Sequence, residues 1–256
     1  MRVASARWRR YPGKMRKAAL VAIAALFVAS SARADFCAEQ PKAAPPASLG
    51  RPSHGALAGA RRLVADASVR LLERQAARCL VWSTPRLIDA IHRAGARVAA
   101  ALPNSPPLGV GDLSRAQGGP IHAYSQSHQS GRDADLAFYQ LDANGSPATA
   151  EDFVRFDARG RGQTGAGEPR QFDVPRNWAL VKSLLEDPAI HLRWLFVSAP
   201  LRASLLAHAR AQREPAQLLA RASELLHQPS DAPPHDDHLH VRITCEPSER
   251  AVGCKD

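Results

Sequence analysis

Two short stretches hold the residue types that chemistry needs. Residues 127–139 read Ser-His-Gln-Ser-Gly-Arg-Asp-Ala-Asp-Leu-Ala-Phe-Tyr. From Asp133 onward the pattern alternates as a strand does, setting Asp133 and Asp135 on one face and Ala134, Leu136 and Phe138 on the other. Two carboxylates side by side on a core strand are unfavourable unless positive charge compensates them, and a metal ion would do so. Residues 235–243 read His-Asp-Asp-His-Leu-His-Val-Arg-Ile. Here His238, His240 and Arg242 share one face, while Leu239, Val241 and Ile243 point into the core. Three of the ten histidines fall between positions 235 and 240. Imidazoles two apart on a strand either face one ion together or divide into a ligand and a catalytic partner.

Two histidines and one carboxylate on rigid strands make a three-ligand zinc site with an open fourth position. An ion so held lowers the pKa of water to about 7 and polarises a substrate carbonyl, which is a hydrolase arrangement rather than a structural zinc. The same donors accept other divalent ions. The chain contains no H-E-x-x-H, no G-x-S-x-G and no C-x-x-C. A helix-borne glutamate base, a serine nucleophile elbow and a thiolate zinc or thioredoxin-like redox site are therefore unsupported.

Several elements must position these stretches. A short strand is expected at 69–72. Thr84 before Pro85 starts a helix, because proline tolerates the first helical position. Leu87, Ile88, Ile91, Ala94 and Val98 recur at helical spacing, and the run from Pro103 to Pro107 ends it. A second helix begins at Pro175, capped by Asp173, with Trp178, Val181, Leu184 and Leu185 on one face. Residues 193–198 read as a buried strand, followed by helical stretches at 201–212 and 215–228. The Gly-, Arg- and Asp-rich segment 142–171 reads as a long loop or lobe, a kind of segment often functional. Residues 35–55, rich in Ala, Pro, Ser and Gly, predict a flexible surface arm. One domain, residues 56–256, is the simplest division of the rest.

The formal charge is +10, from 34 basic and 24 acidic side chains. Residues 1–34 hold eight of the basic side chains and no acidic one, so the remaining chain has 26 basic against 24 acidic. That near-neutral balance argues against a dedicated nucleic-acid-binding domain. The same 34 residues read as a secretory signal peptide: a basic stretch to Lys17, an apolar run from Ala18 to Ala29, and Ala32-Arg33-Ala34 as a small-x-small cleavage pattern. Met15, ahead of Arg16 and Lys17, is an alternative start. The apolar run is shorter than the roughly 20 residues that span a bilayer, so no stable membrane insertion is expected after cleavage. Export implies disulfides among Cys37, Cys79, Cys245 and Cys254. Three pairings are open. A pairing of Cys37 with Cys245 or Cys254, tying the mature N-terminus to the C-terminal strand, is preferred.

The combination Ser-His-Gln-x-Gly-x-Asp-x-Asp with a downstream His-x-x-His-x-His-Val-Arg resembles the penicillin-insensitive murein endopeptidases, part of a wider group with lysostaphin, D-Ala-D-Ala metallopeptidases and hedgehog domains. Further similar stretches are Gly111-Asp112-Leu113-Ser114 with Gly118-Gly119-Pro120, the Asp173/Arg176/Trp178 helix start and the strand at 194–198. The likeness covers roughly residues 48–245. It implies an α+β fold, with a small antiparallel sheet carrying one zinc ion and helices flanking it. It implies His128, Asp135 and His240 as metal ligands, His238 as the catalytic histidine that accepts a proton from the attacking water or stabilises the oxyanion, and His235 as a second active-site histidine. It also implies peptidoglycan as the partner and periplasmic cleavage of peptide cross-links of the D-alanyl-diaminopimelyl type. Where some members of the family have a histidine three residues before the first ligand, this chain has Ser125, and its nearest upstream histidine is His122.

Around that core the residues suggest supporting roles. Asp236 shares a strand face with His238 and would orient it. Asp133 would buttress the ligands or cap the turn at Gly131. Arg132 and Arg242 would hold stem-peptide carboxylates; the plainer alternatives are a surface arginine and a sheet-facing salt bridge. A carboxypeptidase trimming terminal D-Ala shares the motif set, with segment 142–171 deciding how open the cleft is. A non-catalytic zinc- or cell-wall-binding module is the reading from another class, against which the retention of both His235 and His238 speaks.

Overall fold

A computed structural model describes residues 34–121, 124–230 and 232–256. The expected signal peptide, apart from Ala34, and His122 lie outside the described residues. Six strands form the central sheet: β1 (Val69–Leu71), β2 (Leu108–Val110), β3 (Asp133–Ala137), β4 (Leu192–Phe196), β5 (Leu226–His227) and β6 (His238–Ile243). Their spatial order is β5-β4-β6-β3-β2-β1. The four inner strands pair antiparallel, and each outer strand adds parallel to its neighbour. The fold is thus α+β as expected, with two parallel edges added to the antiparallel centre.

One sheet face is apolar. Leu239, Val241 and Ile243 of β6 are fully buried, as are Ala134 and Leu136 of β3. Burying an aliphatic side chain of that size contributes about 1.5–3 kcal/mol. Helices α1 (Pro85–Ala101), α2 (Val174–Leu185), α3 (Ala199–Ala211) and α4 (Ala216–Leu225) supply Leu87, Ile91, Leu180, Leu184, Leu205 and Leu218 to the same core. Pro85 sits at the start of α1 as its rigid φ favours. Asp173 caps α2, accepting from the Arg176 backbone N–H at 3.1 Å and from its guanidinium at 2.8 Å. α4 stops at Leu225 because Leu226 is already extended and pairs with β4. The helix expected to run to residue 228 is therefore shorter.

With the apolar face covered, the polar side chains of β3 and β6 are left on the opposite face. Segment 142–171 partly walls it. Four short strands (Gln140–Leu141, Pro147–Ala148, Arg161–Gln163 and Pro169–Phe172) make a small antiparallel sheet there. Phe138, Phe156 and Phe172, with ring centroids 5.0–6.2 Å apart, give that lobe an aromatic base on the end of β3.

Two expectations need correction. Residues 35–55 are not an unstructured arm: Ala47–Arg51 pairs antiparallel with His54–Ala58, and Ser48 is fully buried. The physical reason is Arg132, whose guanidinium donates to Ser48 Oγ at 2.9 Å, to the Gly50 carbonyl at 3.3 Å and to Lys255 O at 2.7 Å. The disulfides join Cys37 to Cys79 and Cys245 to Cys254, so Cys37 does not reach the C-terminus. Cys245 and Cys254 instead close over the helix Pro247–Ala251, with Cα atoms 5.9 Å apart.

Candidate metal centre

The register of β3 against β6 builds the site. His240 lies opposite Asp135 and Arg242 opposite Asp133, so each base meets an acid across the ladder. A one-residue slip would turn all four into the core. Asp135 Oδ1 sits 2.9 Å from His240 Nδ1, 3.2 Å from His128 Nε2 and 3.4 Å from His238 Nε2. His128, Asp135 and His240 are all buried and offer donor atoms within 4.8 Å of one another.

His128 precedes β3 on a tight turn. Its backbone occupies the left-handed region at φ 63°, held by its N–H donating to Asp133 Oδ2 at 3.0 Å and its carbonyl accepting from Ser114 Oγ. The turn closes through Gly131 at φ 70°, where a Cβ would lie 2.7 Å from Leu57 Cδ1, so only glycine fits. Asp133 is fully buried and binds four partners: the His128 N–H, Arg242 Nε at 2.6 Å, Arg242 Nη2 at 3.3 Å and His240 Nε2 at 3.3 Å. Asp133 and Asp135 thus hold the His240 ring from opposite nitrogens, Asp133 at Nε2 and Asp135 at Nδ1.

His238 is oriented in the same way. Its Nδ1 lies 2.7 Å from Asp237 Oδ1, leaving Nε2 toward Asp135. Phe153 from the lobe stacks on its ring, centroids 4.8 Å apart and planes 29° off parallel. Phe196 stacks on His240 at 5.2 Å. His235 lies within 5.1 Å of the His238 ring and 5.6 Å of the His240 ring, and its buried Nδ1 has no hydrogen-bond partner.

The electrostatics are those of an anionic seat. Burial would depress the His128 imidazolium, but Asp135, with Asp133 and Asp112 behind it, overrides burial and raises its pKa to about 9. Burial pushes Asp135 up, yet the charges of His128 and His238 hold it well below the usual carboxylate range. Asp133 is likewise held low against its burial by Arg242 and His240. Burial and the neighbouring Asp135 push Asp112 upward. Burial, together with His238 and His240, pulls His235 down to about 4. Two imidazole nitrogens and a carboxylate oxygen converging on one buried point are a donor set that suits a zinc-type ion, so the residues fit the group.

Beside the seat runs a cleft of about 1070 Å³, lined among others by Arg74, Arg78, Tyr124, Phe153, Arg155 and His238. Arg78 stacks on Tyr124 at 4.5 Å and donates to Asp112 at 2.7 Å. Arg155 is 72% exposed, with Asp236 its paired carboxylate at 3.8 Å.

Three supporting residues differ from expectation. Asp237, not Asp236, binds His238, because β6 begins only at His238 and strand alternation does not extend back to 236. Arg132 is 1% exposed and points away from the cleft, clamping Ser48, Gly50, Ile243 and Asp256. Arg242 forms the sheet-facing salt bridge, to Asp133, rather than a free carboxylate anchor. Ser125 packs within the preceding turn, its Oγ accepting from the Ser127 N–H at 3.2 Å. Asp237, Phe153, Phe196 and Arg155 are site residues that the sequence motifs do not mark as such. Of these, Phe196 lay in a stretch already singled out, 194–198, and Asp237 sat inside the histidine motif.

Among the described residues, no helix is long and apolar enough to cross a membrane. Comparison with curated proteins returned no match. The family model of penicillin-insensitive murein endopeptidases matches residues 48–256, which include both strands and every residue of the seat.

Proposed function

The chain belongs to the penicillin-insensitive murein endopeptidase family, and from that premise we propose that it is a periplasmic, zinc-dependent endopeptidase that hydrolyses D-alanyl-diaminopimelyl cross-links in peptidoglycan. The observation that carries the reading is the convergence of His128, Asp135 and His240, from two stretches more than a hundred residues apart, on one buried point beside an open cleft.

In this reading His128, Asp135 and His240 would hold the ion, with Asp133 fixing the His240 ring from behind. A divalent cation bound there would supply Lewis acidity to acidify water and polarise the scissile carbonyl. His238 is the proton carrier: Asp237 secures Nδ1, so Nε2 takes a proton from the attacking water and returns it to the leaving amine. Phe153 keeps that ring in place. His235 completes the group beside His238. The exposed guanidinium of Arg155, rather than Arg132 or Arg242, is placed to receive a stem-peptide carboxylate. The expected signal peptide, residues 1–34, and the two disulfides fit export to an oxidising compartment.

Digestion of purified sacculi with the zinc-loaded chain, followed by chromatography, tests this. Release of monomeric muropeptides from cross-linked dimers is the expected result. Free alanine with dimers intact would replace the reading with a carboxypeptidase, and binding to sacculi without turnover would replace it with a non-catalytic module.

A further inference from the structure

The seat has a neighbour. His235, His238 and His240 also offer donor atoms within 4.8 Å of one another, a second three-ligand group that shares His240 with the first. Two further observations point to a ligand. His235 Nδ1 is buried and has no hydrogen-bond partner, which is unfavourable for a polar atom unless something fills the position. His238 has its Nδ1 committed to Asp237, so its Nε2 is the nitrogen left to coordinate. The loop that bears His235 is pinned, since its carbonyl accepts from the Ser198 N–H at 2.7 Å. Phe196 lies against both the His235 and His240 rings, at 5.4 and 5.2 Å.

We propose that His235, His238 and His240 form a second, alternative seat for a divalent cation, and that its occupation turns the enzyme off. Three imidazole ligands favour nitrogen-seeking ions such as Zn²⁺, Ni²⁺ and Cu²⁺ over Mg²⁺ or Ca²⁺. The consequence follows from what the seat uses. An ion there occupies the His238 nitrogen that would otherwise carry the proton, and competes for His240 with the first seat. This functional half rests on the role proposed for His238; the binding half does not.

The test separates the two seats. The full mature chain, stripped by chelator, is titrated with Ni²⁺ against a chromophoric competitor, for wild type, Asp135→Ala, and Asp135→Ala combined with His235→Ala. With the first seat broken, Asp135→Ala still takes up one ion, more weakly than wild type. Adding His235→Ala weakens that uptake at least tenfold further. No uptake by Asp135→Ala, or equal uptake by the single and double variants, overturns the second seat. If Asp135→Ala binds as tightly as wild type and loses the ion only with His235→Ala, the second seat stands and the first assignment fails. His235→Gln, which keeps the volume, and coincident melting curves separate lost ligation from lost folding. In sacculus hydrolysis, His235→Gln should need about tenfold more excess zinc than wild type for half-inhibition relative to its own uninhibited rate. Equal sensitivity overturns the inhibitory role.

Discussion

Asp237 Oδ1 lies 2.7 Å from Nδ1 of His238, and this contact decides which nitrogen of that ring faces Asp135. An acceptor on Nδ1 keeps the proton there and leaves the Nε2 lone pair for the proposed proton transfer. Asp237→Asn can present an amide N–H instead and favour the wrong tautomer. Sacculus hydrolysis by this variant should fall about 10–100-fold while zinc content stays at wild-type level, as for other residues that orient a reacting group from behind. Metal analysis run beside the kinetic assay checks it; loss of zinc in proportion to activity would assign Asp237 to the seat instead.

Gly111 makes room for Phe153. A Cβ at 111 would lie 2.3 Å from Phe153 Cζ, closer than any ring tolerates without moving. Gly111→Ala should therefore displace the ring that stacks on His238, and Phe153→Ala removes it. Both variants should retain the metal and lose roughly tenfold in kcat, with an altered pH profile. A Gly111→Ala enzyme with a wild-type kcat and pH profile would show that the stack does not position His238.

Arg132 is a structural clamp. It is buried, ion-paired to Asp256 at 2.8 Å, and joins the hairpin Ala47–Arg51/His54–Ala58 to the C-terminal residues. Removing one partner of such a buried pair typically costs about 3–5 kcal/mol, so Arg132→Ala should show that loss in denaturant unfolding. Arg132→Lys should recover only a minor part, because a point charge cannot replace the planar fork. Wild-type stability in Arg132→Ala would mean the clamp is dispensable.

Acid sensitivity has a source outside the site. Burial pushes the Asp187 carboxyl up, but hydrogen bonds from Arg93 at 2.8 and 3.1 Å, and from the Ala189 N–H, bring it below its usual value. A carboxyl depressed in the folded state adds stability that is complete above the unfolded value of about 3.9 and is lost as pH falls through the folded value. Melting temperatures of wild type and Asp187→Asn should differ most above about pH 5, with wild type higher, and converge below that folded value. A gap that persists or widens under acid would contradict the assignment.

The legibility of this chain followed periodicity. The alternation in residues 133–137 and 238–243 is real strand, because both faces of those strands are used, one by the core and one by the site. Helix α1 was equally plain, since Thr84-Pro85 and the Leu87–Val98 stripe state both its start and its buried side. Alternation stops at the strand end, so Asp237 rather than Asp236 meets His238. Partners distant in sequence leave no local signal. Nothing local tells that Arg132 will meet Lys255, that Cys37 will meet Cys79, or that Phe153 will lie on His238. The order in residues 47–58 was missed for the same reason, as its small residues are held by contacts from elsewhere.

The most direct test is zinc retained per chain after exhaustive gel filtration with a moderate chelator in the buffer, for wild type, His240→Ala and Asp135→Ala. One zinc per wild-type chain, and near zero tightly held zinc in both variants, is the predicted result. Equal zinc in all three, or none in wild type, would contradict the claim that these two strands build the catalytic metal seat.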